Sequence, residues 1–206
     1  MIVPTELSFI HRFEPATEPG RPPLLLLHGT GGNEDDLLPL GHMLSSGSAR
    51  LSPRGKVLEE GMPRFFRRLG EGIFDEDDVR RRANELADFI AQARQHYNLA
   101  ALIAVGFSNG ANIAAALLQL RPESLAGAAL LRAMVPLQNP PVVDLTGKPV
   151  LIISGASDPI VPVENANRLT SLLKRSGATV EHLMVPAGHG LSQTDVRLTK
   201  AWIDQL

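Results

Sequence analysis

The sequence predicts an α/β fold, a mostly parallel central sheet with helices on both faces, and three observations carry the prediction. Short apolar runs, "PLLLLHG", "ALIAVGF", "LAGAALL", "PVLIISG" and "TVEHLMV", each end near glycine, proline or a polar turn. Segments of helical period alternate with them, the pattern of strands joined by crossover helices. The chain of 206 residues is long enough to bury one core and too short for two, so residues 1–206 are expected to form a single domain, without internal repeat or low-complexity linker.

The first run, in "LLLLHGTGGNEDD", reads as a strand followed at once by a glycine-rich turn and then by acids suited to a helix start. Residues 45–74 contain "SPRG" and "EEGMPRFFRRLGEGIF"; glycine and proline interrupt every period there, and the region is expected to pass over the site. After Asp75, an N-cap with further acids in the first turn, Val79, Ala83, Leu86, Ala87, Ile90 and Tyr97 recur at helical spacing and mark the clearest helix. "ALIAV" is the next strand. Residues 109–120 form the next helix, whose small Ala111, Ala114 and Ala115 allow close approach to the sheet. "LAGAALL" and "PVLIISG" follow, then a helix over 163–175 and the strand "TVEHLMV". Ser192 and Asp195 make a capping-box-like pair that opens a final helix through "VRLTKAWIDQL".

Composition narrows the chemistry. A net charge of -2, with the arginines of "RFFRRLG" balanced by the "DEDD" that follows, leaves no basic footprint for nucleic acid. The absence of cysteine excludes a disulfide framework, a thiolate metal site and a cysteine nucleophile. No apolar run approaches the ~18 residues needed to span a bilayer, and the N-terminal stretch lacks a basic segment followed by an apolar one. The expectation is a soluble, unexported, cytoplasmic protein with a small-molecule partner.

The stretch "VGFSNGANIAAALLQL" sets Ser108 between two glycines, after a strand and before a helix. G-x-S-x-G is common by chance, and alone it describes a small residue in a tight turn. The flanks change the reading: a sharp strand-to-helix turn lifts the serine Oγ above the sheet edge, and glycines on both sides relieve the crowding. The helix that follows also aims free N–H groups at negative charge developing on a substrate.

Such an elbow predicts the chain order serine, acid, histidine. Only His182 and His189 follow Ser108. His182 lies inside a strand, where solvent or a neighbour satisfies it, whereas His189 occupies the glycine-flanked loop "PAGHGLS" just after that strand; His189 is the expected base. Between serine and histidine lie Asp144, in the surface connection "NPPVVDLTGKP", and Asp158, in "ASDPIVP" just past a strand end. The crevice outside the carboxyl ends of the strands is where ligands bind, so Asp158 is the expected acid and Asp144 a solvated turn residue.

For the oxyanion, the backbone N–H of Thr30 in the glycine-rich turn is expected to face the same crevice as that of Asn109. His28 is expected to stabilise that turn by hydrogen bonding. A dinucleotide fingerprint fails at Glu34, which stands where glycine or alanine is required, and no acid lies ~20 residues beyond the turn. Neither cofactor nor metal is expected, since the histidines lack paired ligand spacing.

Together "LLLLHGTGGNEDDLLPL", "GFSNGANIA", "SGASDPIVP" and "AGHGLS" resemble the bacterial phospholipase/carboxylesterase family of α/β-hydrolases, relatives of the acyl-protein thioesterases, over residues 24–206. The resemblance implies an α/β-hydrolase fold with Ser108 as nucleophile, Asp158 and His189 as its partners, and Thr30 and Asn109 as oxyanion donors. The thioesterase branch usually carries Leu and Gln at these last two positions, so the chain looks closer to the carboxylesterase branch, as does "FFRRLGEGIFDEDD".

The expected activity is hydrolysis of short- to medium-chain carboxylic esters through an acyl-enzyme. Two readings compete with it: a thioesterase or lysophospholipase on longer acyl chains, and a non-enzymatic binding protein of the same fold. The expected partners are an ester and water, without nucleic acid or membrane span; a homodimer is left open. Phe65, Phe66, Ile73 and Phe74 are candidate pocket residues, with two of the four expected to close the core instead. Residues 132–148, between two strands, are too few and too rich in proline for a helical cap, so no substantial cap domain is expected.

Overall fold

An extended chain alternates its side chains, and the leucine run exploits this fully: Leu25 and Leu27 face one core, Leu24 and Leu26 the other, and all four are completely buried. A computed structural model describes residues 7–70 and 72–206. Its strands are β1 (His11–Glu14), β2 (Leu24–Leu27), β3 (Arg50–Pro53), β4 (Val57–Glu59), β5 (Met62–Arg64), β6 (Arg68–Gly70), β7 (Ile73–Phe74), β8 (Leu102–Phe107), β9 (Leu125–Leu131), β10 (Pro149–Gly155) and β11 (Thr179–Val185). The helices are α1 (Leu38–Leu44), α2 (Glu76–His96), α3 (Asn109–Leu120), α4 (Val163–Arg175) and α5 (Gln193–Ile203).

Among the described residues the central sheet has the order β1-β3-β2-β8-β9-β10-β11, parallel throughout except where β1 meets β3. Helices α2, α3 and α4 cover one face, burying residues such as Leu86, Ile113 and Leu169. Helices α1 and α5 cover the other through Leu40, Leu44, Trp202 and Ile203. The chain leaves β2 by way of α1 to reach β3 on one side, whereas β8 lies on the other side of β2. This reversal of direction opens a crevice at the carboxyl ends of β2 and β8.

The expected caps form: Asp75 accepts from the Asp78 N–H at the start of α2, and Ser192 and Asp195 make a reciprocal capping box on α5. Residues 132–148 contain neither helix nor strand, so no helical cap stands between β9 and β10. No described helix is long and apolar enough to cross a membrane.

Residues 45–74 are more regular than their glycines and prolines suggest. Strand β3 joins the central sheet, and β4–β5 and β6–β7 form two small antiparallel hairpins. Glu60 and Gly61, both at positive φ, make the two-residue turn between β4 and β5. Strands this short are held by their pairing partners and leave almost no periodic trace.

Candidate active site

Ser108 sits between β8 and α3 with φ 52° and ψ -113°, a left-handed conformation that non-glycine residues rarely adopt. The flanking glycines are required by close approach. A Cβ on Gly110 would fall 1.9 Å from the Leu27 carbonyl oxygen, and one on Gly106 would fall 2.5 Å from the Gly110 carbonyl oxygen. The strand–serine–helix corner is thus wedged against β2.

Two loops converge on this serine. Asp158 follows β10 and His189 follows β11, strands paired in parallel register, so their carboxyl ends lie side by side. His189 Nε2 lies 2.9 Å from Ser108 Oγ, and His189 Nδ1 lies 2.9 Å from Asp158 Oδ2. An ionised carboxylate only accepts, so Nδ1 carries the proton and Nε2 is left to accept from the hydroxyl. The Asp158 side chain is fully shielded from solvent. Burial would raise its pKa, but the Ile160 N–H, the His189 ring and the Val161 N–H outweigh that and hold the carboxyl below its usual range.

Thr30 lies in the turn after β2, and Asn109 opens α3. Neither backbone N–H finds an acceptor among the described residues. Each residue is pinned by its side chain instead: Thr30 Oγ1 accepts from Arg64 Nη1 at 2.8 Å, and buried Asn109 Oδ1 accepts from the Phe65 N–H at 2.7 Å. His28 is held as a neutral ring, with Nδ1 donating to the Gly29 carbonyl (2.6 Å) and Nε2 accepting from the Gly55 N–H (3.0 Å). Burial lowers its pKa.

The remaining candidates separate. His182 pairs with Ser154 Oγ at 3.0 Å on the sheet, and Asp144 is exposed and accepts from the Thr146 N–H in a local turn. Of the four candidate pocket side chains, Phe74 lines the cavity beside Ser108. Phe65 and Phe66 do not; they are buried in the core, Phe65 against the His28 ring. Ile73 is exposed and is not among the residues lining that cavity.

The cavity, about 240 Å³, has apolar walls from Phe74, Phe107, Met134, Ile160 and Val161, and polar ones from Ser108, His189 and three arginines, Arg64, Arg68 and Arg132. Sequence reasoning missed the arginines. Arg132 is the most unexpected, fully buried and at φ 58° just past β9. Its guanidinium holds Asp195 and donates to the carbonyls of Gly188 (2.9 Å) and Gly190 (3.2 Å), the two residues flanking His189. The available signal was a lone arginine in the apolar run "LLRAMV". No cluster of three or more potential metal-ligating side chains occurs among the described residues.

The model of the Phospholipase/Carboxylesterase family matches residues 10–206. The Bacillus subtilis (strain 168) protein MhqD, named as a hydrolase, is 46% identical over 181 residues, covering 87% of this chain and 90% of that protein. A Bacillus cereus carboxylesterase has a crystal structure that superposes with a TM-score of 0.94 at 44% identity, over 96% of this chain and 94% of that one. A carboxylesterase from Mesorhizobium loti gives 0.93 at 32% identity, over 98% and 97%.

Proposed function

Because the chain belongs to the phospholipase/carboxylesterase family of hydrolases, we propose that it is a serine carboxylesterase, cleaving short- to medium-chain esters through an acyl-enzyme intermediate. The observation that carries this reading is the unbroken hydrogen-bonded line from Ser108 Oγ through His189 to buried Asp158. His189 Nε2 takes the hydroxyl proton as Oγ attacks the ester carbonyl, and Asp158 holds the tautomer and stabilises the imidazolium. The N–H groups of Thr30 and Asn109 receive the oxyanion, and His189 returns its proton to the departing alcohol. Water, activated by the same imidazole, then releases the acid. The small cavity and the absence of a helical insertion at 132–148 support short substrates over long acyl chains.

A fluorophosphonate probe tests the assignment. Covalent labelling of the wild type and none of Ser108→Ala is the expected result; labelling that survives the substitution would place the nucleophile elsewhere.

A further inference from the structure

Arg64 and Arg68 stand in the cavity wall beside Ser108, and the mechanism above uses neither. They come from the two hairpins, Arg64 from β5 and Arg68 from β6. Arg64 is almost wholly buried; besides Thr30 Oγ1, it donates from Nε to the Phe66 carbonyl at 3.2 Å. Arg68 is about one third exposed, and its Nε donates to Glu59 Oε1 at 2.5 Å. The other oxygen of Glu59 lies 3.3 Å from Arg64 Nε without making a hydrogen bond.

One carboxylate therefore serves two guanidiniums. Arg132 is neutralised by Asp195 and the His189 ring faces Asp158, while no Asp or Glu is among the described residues lining the cavity. Within the hairpin wall, Arg64 and Arg68 carry one positive unit more than Glu59 balances, on the lining of a nucleophile's pocket, while the Asp158 carboxylate is shielded behind the His189 ring. Burial works against the charged form of Arg64, so the protein retains this guanidinium at a cost in desolvation.

We infer that the cavity takes esters bearing a second, free carboxylate, which Arg64 and Arg68 hold while Ser108 faces the ester carbonyl. The inference rests on the serine-esterase reading above. Three features select this chemistry. A planar guanidinium fork matches a carboxylate bidentately. The excess of one charge on the hairpin arginines suits a carboxylate better than a phosphate monoester, which carries ~1.5 to 2 negative charges at neutral pH. A volume of about 240 Å³ falls below the roughly 300–1,000 Å³ of ordinary ligand sites and calls for a compact molecule, such as the half-ester of a short dicarboxylic acid.

The test compares kcat/KM for monomethyl glutarate with that for methyl pentanoate, a neutral ester of similar length, followed by base titration at low ionic strength. The anionic half-ester is expected to lead by on the order of tenfold, since one charge-assisted hydrogen bond is worth about that factor. High salt should shrink the lead. In Arg68→Gln the ratio should fall towards one, and in Arg68→Glu below one. Arg64→Gln should do the same where melting shows it folded; where it does not fold, the two Arg68 variants decide. A wild-type ratio at or below one, or a ratio unmoved by Arg68→Glu, overturns the inference and leaves the esterase reading standing if neutral esters are cleaved at Ser108. Absence of hydrolysis on every ester overturns both.

Discussion

The guanidinium of Arg132 grips the carboxylate of Asp195 through both terminal nitrogens, at 2.7 and 3.0 Å, with both side chains shut off from solvent. Burial would raise the Asp195 pKa, but Arg132 and the Ser192 hydroxyl and N–H hold it down. The pair joins the end of β9, the first turn of α5 and the two peptides around His189.

Removing one partner strands the other as an uncompensated buried charge. Arg132→Met is therefore expected to destabilise the fold by about 3–5 kcal/mol, and Asp195→Leu by a similar amount. The double substitution should cost less than the sum, because neither orphaned charge is left. Denaturant melts of the four proteins check this; strict additivity would show the two groups to be independent.

Turnover should depend on the three site residues unequally. Ser108→Ala and His189→Ala are expected to leave only the ~10³ to 10⁴ over water that binding and the oxyanion donors supply. Asp158→Asn should cost on the order of 10⁴ in kcat by disturbing the imidazole tautomer. Asp144→Asn, altering an exposed turn, should match the wild type. Steady-state rates on one chromogenic ester decide among these, and a sensitive Asp144 would reassign the acid.

Chain-length preference should follow the cavity. Each methylene buried contributes up to ~0.8 kcal/mol, so kcat/KM is expected to rise over the first few acyl carbons and level off once the chain emerges into water. A series from acetyl to palmitoyl esters, kept below their aggregation limits, measures it. A maximum among the longest chains would favour a thioesterase or lysophospholipase.

Stability should respond to His28. Its folded pKa lies below the unfolded value of about 6.5, so the unfolded chain binds more protons between the two. The stability owed to the neutral ring is complete above about pH 6.5 and lost as pH falls through that window. His182, lowered by burial and by Lys174, contributes with the same sign. The melting temperature should drop between about pH 7 and 5, and His28→Gln should reduce that slope without abolishing it. An identical slope in the variant would assign the whole effect elsewhere.

The elements legible in the sequence are those whose signal is local. Strands β2, β8, β9 and β10 are buried on both faces and read as continuous apolar runs, and Asp75 and Ser192 carry their capping chemistry within one turn. The candidates Ser108 and Asp158 stand just past two of these strands, and His189 just past β11, a half-exposed one, so each could be named from its position in the chain. Strands β1 and β3 escaped: β3 buries Arg50 and Ser52, polar residues made tolerable by partners elsewhere, Glu14 and the carbonyls of Ser45 and Ser46 among them. Arg132 escaped for the same reason, its compensating charge lying 63 residues away. A buried charge looks like an error until its distant partner is known.

The hairpin wall is tied to the site at both turns. The Gly31 N–H donates to the Pro63 carbonyl, Arg64 reaches Thr30, and the Phe65 N–H reaches Asn109. The β4–β5 hairpin, bonded in this way to the floor on either side, is expected to keep its place when a substrate enters. On the serine-esterase reading it is a measuring edge set beside Ser108, against which an entering ester is gauged. For such an edge, selectivity is expected to be exercised on contact, by what fits between the hairpin and the serine.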